Sequence, residues 1–294
     1  MRPHEIIADK ALSLGFHQVG FSRVAVFENL REIFEARDFL EMEIKDSQKR
    51  IDPWSHFPGG GTFVVLGMSY PLYGIPPLHG DRVRVSASLV PDYHLVLREK
   101  LEELLDFVIT ELGGEGRTFV DVEGLDDRQV AFRSGLGFYG KNTQIISPYL
   151  GSNFNIGYLV LSLELDYQSP VITGDCRDCT RCVEACPTGA LPGDYTLTAQ
   201  KCLSYLTQKK DLSPQEASWL NRCVYGCDIC QRVCPYNSIS SQSIEHVFTR
   251  EDFEALSQRQ YKKKYGHRDF SFRGVKIIRR NIDLALGNSG SETE

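Results

Sequence analysis

A chain of 294 residues, 41% hydrophobic and 24% charged, is long enough to bury more than one core, which excludes a disulfide-stapled miniprotein, a disordered chain and a fibrous repeat. No run approaches the ~20 apolar residues a membrane span needs. The opening Met1–Lys10 carries acid where a signal peptide has its apolar stretch, so a cytoplasmic protein without a membrane partner is expected. The net charge of −6 is uneven, because residues 250–280 hold ten Lys or Arg against four Asp or Glu, +6, which leaves −12 elsewhere.

In chain order, a helix is expected near Glu5–Leu14, stopped by Gly15, and a strand over Thr62–Tyr70 between three glycines and Pro71. From Leu97 the apolar positions Leu101, Leu104, Leu105, Val108 and Leu112 keep helical spacing until Gly113-Gly114 ends the run. Short β-like runs follow at Thr118–Asp121, Thr143–Ile146 and Phe154–Leu163, and the polar stretch Asp121–Arg133 reads as helical. A boundary falls near Asp166–Gly174. Beyond Pro235, Asn237–Ser243 reads as a loop or linker ahead of basic, helical sequence and a frayed tail. The expected organisation is an α/β N-terminal domain over 1–165, an α+β ferredoxin-like domain over 166–240 and a short helical C-terminal segment over 241–294.

All nine cysteines lie between Cys176 and Cys234. Cys176-x2-Cys179-x2-Cys182-x3-Cys186-Pro187 has the bacterial ferredoxin spacing, whose fourth cysteine crosses to the other cluster in two-cluster proteins. Cys227-x2-Cys230-x3-Cys234-Pro235 is its pseudo-symmetric partner, so two 4Fe-4S clusters are expected. They need eight ligands and the motifs supply seven; spacing leaves Cys202 and Cys223 both open as the eighth. A structural zinc site fits less well, since it needs no proline after the last ligand. A pure electron carrier would have no use for the cysteine-free front of the chain.

That front contains Gly135-Leu-Gly137-Phe-Tyr-Gly140-Lys141-Asn142, a formal GxGxxG, but the residues before it are not a buried strand, so a nicotinamide site is not read from it. It is either a tight loop or a backbone cradle for another large cofactor. Asp92-Tyr93-His94 begins like a cobalt-ligating Asp-x-His-x-x-Gly motif, yet Leu97 replaces the glycine, so no histidine ligand follows. Asp121, Asp126 and Asp127 cluster after a short strand, as solvated loop residues or as a general acid in a pocket.

Val120-Asp121, Arg128, Gly135-Leu-Gly137 with Gly140-Lys141, the cysteine runs, Cys202–Thr207, Gly226–Gln231, Cys234–Asn237 and Arg280-Asn281 with Ala285–Asn288 together resemble the epoxyqueuosine reductase family across roughly residues 1–290. The resemblance implies an oxidoreductase that uses cobalamin and iron-sulfur clusters to remove the epoxide oxygen of epoxyqueuosine in the tRNA anticodon loop, completing queuosine. It implies a cobalamin-binding front domain. One cluster would take Cys176, Cys179, Cys182 and Cys234, and the other Cys186, Cys202, Cys227 and Cys230, with Cys223 outside both.

By the same resemblance Asp121 is the proton donor, and such a role calls for burial that raises its pKa above the solution value of about 3.9. Lys141, Asn142, Ile145, Ser204 and Asp228 fall on corrin-lining segments. Asp127 stands where the family usually has glutamate. The segment Asp121–Gly124 and the lead-in Ser86–Pro91 depart from the family pattern, and longer members continue into a helical-repeat domain that helps hold tRNA. The tRNA grip is then expected from the 250–280 basic stretch, with Arg259, Lys262, Lys263, Lys264, Arg268, Arg273, Lys276, Arg279 and Arg280 as the phosphate-binding face. Electrons would come from an external donor such as flavodoxin or ferredoxin, and a monomer is expected. A dehalogenase-like reductase of a small molecule and a two-cluster electron carrier are the alternatives.

Overall fold

The computed structural model describes residues 1–37, 39–88, 91–121, 124–240 and 246–289. Leu89 and Val90 ahead of Pro91, Val122 and Glu123 after Asp121, Ser241–Ser243 of the expected linker and the tail from residue 290 lie outside the described residues. The chain divides into two compact units, each built from discontinuous stretches.

The first unit comprises residues 1–69, 94–140 and 144–175. Its four-stranded sheet runs in the order Gln18–Arg23, Thr62–Ser69, Phe154–Leu161, Gly116–Phe119, and every neighbouring pair is antiparallel. Thr62–Met68 is buried on both faces, which explains why the expected strand reads as continuous apolar sequence rather than an alternation. The helix Tyr93–Leu112 buries Leu97, Leu101, Leu104 and Val108, one face at i, i+4, i+7 and i+11. A Cβ at Gly157 would come within 2.9 Å of Leu101, so the missing side chain sets how closely the helix approaches the sheet.

On the same unit Phe27, Phe63, Phe119, Val130 and Tyr158 belong to one buried cluster. The helix Asp127–Arg133 packs into it through Val130 and Ala131. The β-like run at Thr143–Ile146 shortens to Ile145–Ile146, paired with Phe138–Tyr139.

The second unit comprises residues 70–93, 141–143 and 176–294, and so differs from the three continuous stretches expected. The cause is strand pairing across long sequence separation. Val83–Val85 is the middle strand of a three-stranded sheet, antiparallel to Val247–Phe248 and parallel to Cys223–Tyr225. Ile239–Ser240, inside the expected linker, pairs in parallel with Leu72–Tyr73. The basic C-terminal sequence is helical over Gln258–Tyr265 and Val275–Ser289, but it is no appendage, since Tyr261, Tyr265, Phe270, Ile278 and Ile282 pack with Val83, Val85 and Val224 in one core. No helix among the described residues is long and apolar enough to cross a membrane.

Candidate functional site

The two cysteine motifs fold alike locally. Each sends its middle cysteine into a one-turn helix, Arg181–Glu184 and Ile229–Arg232, and the prolines after Cys186 and Cys234 stop the chain from continuing it. The thiol of Cys182 is flanked electrostatically by Cys176, Cys179 and Cys234, and that of Cys230 by Cys202, Cys182 and Cys186. Cys227 faces Cys223, Cys230 and Cys202. The two motifs thus approach one another, with Cys182 and Cys230 adjoining, and Cys223 neighbours Cys227.

The ninth, Cys223, lies in a strand, is buried, and points its thiol at the carbonyls of Tyr225 at 3.5 Å and Gly226 at 3.6 Å. Burial pushes the Cys227 thiol up and that of Cys230 up to about 12. Such thiols stay protonated until a metal takes the proton's place. Among the described residues no three His, Cys, Asp or Glu side chains converge as ligands of a single ion would; thiolates on the corners of a cuboidal cluster stand farther apart.

Beside Cys227, Asp228 is almost completely buried and receives two arginines. Arg84 Nη2 donates at 2.8 Å and Nη1 at 3.3 Å, Arg232 Nη2 lies at 2.9 Å, and the Ala87 N–H adds a bond at 3.2 Å. Burial opposes the charge, but the two guanidinium groups outweigh it and hold the carboxyl below the usual range.

Lys141 is tied to the first cysteine loop: its Nζ donates to the carbonyls of Arg177 at 2.7 Å and Cys179 at 3.1 Å, and its N–H points at Cys176 Sγ at 3.4 Å. Asn142 is buried next to it, and Thr143 takes a left-handed φ of 60°. Ile145 is buried in the core of the first unit. Ser204 sits in the one-turn helix Leu203–Leu206, its carbonyl accepting from Thr207 and Gln208. Of the five corrin-lining residues the resemblance implies, Lys141 and Asp228 therefore have their charged groups engaged within the protein.

The three aspartates of the first unit have separate surroundings. Asp126 caps the helix Asp127–Arg133, accepting from the Gln129 N–H at 2.9 Å, and lies 3.4 Å from Arg50 Nη2. Asp127 accepts from the Tyr158 hydroxyl at 2.9 Å, and Tyr158 is fixed by stacking on Phe119 with centroids 5.1 Å apart. Asp121 adopts a left-handed φ of 53°, which aspartate tolerates better than most residues, with His94 Nε2 at 3.4 Å.

The Asp121 side chain is 58% exposed, so the burial expected of it is not found. Asp126 is the buried one of the three, while the half-buried Asp127 has its carboxyl pushed up to about 8 by burial first and then by the neighbouring charge of Asp121, with the Tyr158 hydrogen bond opposing. Tyr158 escapes sequence reasoning because it comes from a strand distant in sequence, and nothing in Asp92-Tyr93-His94 signals that His94 meets Asp121. The adjacent Asp126-Asp127 pair at a helix start was the one visible signal.

The expected phosphate-binding face contracts. Arg268 is buried and donates to His246 Nδ1 at 2.6 Å. Arg279 donates to the carbonyl of Phe253 at 2.9 Å and to that of Leu256, and Arg280 to the carbonyls of Lys209 and Lys210 at 2.9 and 2.5 Å. These three guanidinium groups hold the fold together. Arg259, Lys262, Lys263, Lys264 and Lys276 are exposed, Lys264 in a pair with Asp252.

Comparison with known proteins places these features in context. The family model described as "4Fe-4S double cluster binding domain" matches residues 175–237, and the one described as "Epoxyqueuosine reductase QueG, DUF1730" matches residues 50–122. Epoxyqueuosine reductase of Staphylococcus aureus is 34% identical over 301 residues, 96% of this chain and 79% of that protein. Among solved structures, an epoxyqueuosine reductase crystallised with an epoxyqueuosine-modified tRNA-Tyr stem loop superposes with a TM-score of 0.88 at 33% identity, over 97% of this chain and 81% of that one. A Bacillus subtilis epoxyqueuosine reductase captured with its aspartate catalytic loop swung out of the active site superposes at 0.87 and 33% identity, over 97% and 81%.

Proposed function

Since the chain belongs to the epoxyqueuosine reductase family, we propose that it converts epoxyqueuosine to queuosine in tRNA, with Asp121 delivering a proton to the departing oxygen. The observation that carries the reading is the approach of the two cysteine motifs, Cys182 facing Cys234 and Cys230 facing Cys186, which suits single-electron traffic, in a chain that also presents an exposed carboxylate on a left-handed turn. Removing the oxygen as water takes two electrons and two protons, and the electrons have to come from outside. A small one-electron carrier such as flavodoxin or ferredoxin suits that task. Cys176, Cys179, Cys182 and Cys234 would hold one cluster, and Cys186, Cys202, Cys227 and Cys230 the other. The protein would work as a monomer in the cytoplasm, where its tRNA substrate is.

Cobalamin is the cofactor we assign to the chemistry. The residues of the second unit fit it by donor type: the engaged side chains of Lys141 and Asp228 offer no ligand to cobalt, while Asn142, the Ser204 hydroxyl and the main chain around Thr143 are suited to the amide fringe of a corrin. When bound, it would supply low-valent cobalt, which carries electrons that side chains cannot. The protein's own part is to bind the modified loop and to hold and release the proton at the Asp121 carboxyl.

The test uses anaerobically purified, reductant-supplied protein and an anticodon stem loop bearing epoxyqueuosine. Conversion appears as loss of one oxygen from the nucleoside by mass spectrometry; an unchanged mass with both clusters and cobalamin present would overturn the reading. Binding should weaken with salt, each phosphate contact adding a slope of roughly 0.7 to 0.9 in log affinity per log salt. Replacing Lys262, Lys263 and Lys264 with alanine should flatten that slope without changing cluster content.

A further inference from the structure

Resting on the tRNA reading above, we propose that Phe272 is the platform on which an unpaired nucleobase of the anticodon stem loop stacks, with Lys262 and Lys276, from the helices on either side of it, taking the adjoining phosphates. Among the described residues of the second unit Phe272 is the most exposed large apolar side chain, at 65%. The stretch 258–276 around it holds seven Lys or Arg against a single acid, Asp269, in a chain of net charge −6. Such a stretch complements a polyanion, and a lone phenyl ring among cations lacks the broad apolar stripe that a lipid interface needs.

The turn that carries the ring is held on both sides. Asp269–Arg273 is a short 3-10 helix in which Phe270 and Ser271 are buried while Phe272 is left in solvent. Ahead of the ring, the Tyr261 hydroxyl donates to the Phe270 carbonyl at 2.9 Å and the Asp269 carboxyl accepts from the Phe270 N–H at 2.7 Å. Behind it, Gly274 takes a left-handed φ of 84° and Gln258 Oε1 accepts from the Val275 N–H at 3.1 Å. A ring already fixed on a rigid support gives up little freedom when a base settles on it. The same turn places cations: the Arg273 guanidinium lies 5.8 Å from the Phe272 centroid, and Lys262 Nζ reaches the Ser271 hydroxyl at 3.4 Å. In a paired stem the base faces are covered by their neighbours, so only an unpaired base offers one to the ring, and any base serves because each has a π face. The site therefore holds the loop in place without reading its sequence.

Fluorescence anisotropy on the intact, cluster-loaded protein tests this with two labelled RNAs, an anticodon stem loop and a fully paired duplex with the same number of phosphates. Wild type should prefer the stem loop, and Phe272→Ala should lose about 10-fold in affinity for it while binding the duplex as before and keeping its iron. Phe272→Leu, apolar but without a π face, should fail as alanine does, and Phe272→Trp should retain the affinity. Stacking releases no counterions, so the salt slope of Phe272→Ala should match wild type, unlike that of the triple lysine variant. Unchanged stem-loop affinity in Phe272→Ala, or an equal loss on both RNAs, would overturn the proposal. So would wild type that binds neither RNA, a Phe272-dependent dimer in sedimentation, or Phe272-dependent binding to phosphatidylserine vesicles, the last two making the ring a contact with a second copy or with lipid. If the protein fails to convert epoxyqueuosine yet shows this loop-specific dependence on Phe272, the functional reading fails and the stacking site stands.

Discussion

Asp228 is buried and Asp127 half-buried, and the two units treat them in opposite ways. Asp228 is met by two guanidinium groups and an amide N–H, and stays charged. Asp127 is met by a phenol, by the charges of Asp121 and Asp126 and, more weakly, by Arg50, and its carboxyl is pushed up. A buried carboxylate with full cationic compensation is structural: it locks segments together and has no reason to exchange a proton. One surrounded by like charges is poised, because a small change nearby alters its protonation. The difference separates a carboxylate locked by cations from one whose charge its neighbours oppose.

The largest expected effect comes from breaking the compensated site. Asp228→Asn leaves Arg84 and Arg232 buried without their counter-charge, which should destabilise the second unit by about 3–5 kcal/mol and deplete iron. Denaturant unfolding with iron quantitation checks it, and wild-type stability would show that the arginines relax to water.

The cysteines sharpen the same contrast between a group engaged with its own backbone and one facing its peers. Cys202→Ala should lose one cluster while Cys223→Ala retains both, because the Cys223 thiol already bonds to carbonyls of its own segment. Equal iron loss in both variants would reverse the assignment.

On the poised side, Asp121→Asn should preserve both clusters and lower turnover by about 10²-fold, about 2.7 kcal/mol of barrier. Wild-type rates from a variant free of deamidation would reduce Asp121 to a loop carboxylate.

The smallest effects are in the pH dependence of stability. Asp127 titrates at about 8 in the fold against 3.8 unfolded, so its contribution is fully present below pH 4 and is lost as pH rises to 8. Asp127→Asn should therefore gain in Tm relative to wild type across that interval. His246 behaves inversely. Burial and Arg268 lower it from 6.5 to about 4, so its contribution is present above pH 6.5 and is lost as pH falls toward 4. His246→Gln should flatten the acid side of the Tm profile.

What the sequence made legible was whatever is local. The thiol motifs close over a few residues, and the helical period from Leu97 to Leu112 needs only its own face, although the helix itself starts at Tyr93. Pairings across long separation were not legible. Val83–Val85 is three residues whose partners come about 140 and 160 positions later. Charge roles were hidden too, since Arg268, Arg279 and Arg280 look like their exposed neighbours in composition yet each donates inward. The carboxylate cluster was visible, but its division of labour depends on Tyr158 and His94, which only the fold brings near.

The position of Val83–Val85 has a consequence for protein engineering. A fragment beginning at Cys176 would hold every cysteine but would lack the middle strand of its own sheet and Arg84, one of the two counter-charges on Asp228. The iron-sulfur portion is thus not a detachable cassette. Grafting it onto another enzyme would mean carrying residues 70–93 along with it, and a gene fusion joined at the obvious sequence boundary would deliver thiols without the scaffold that gathers them.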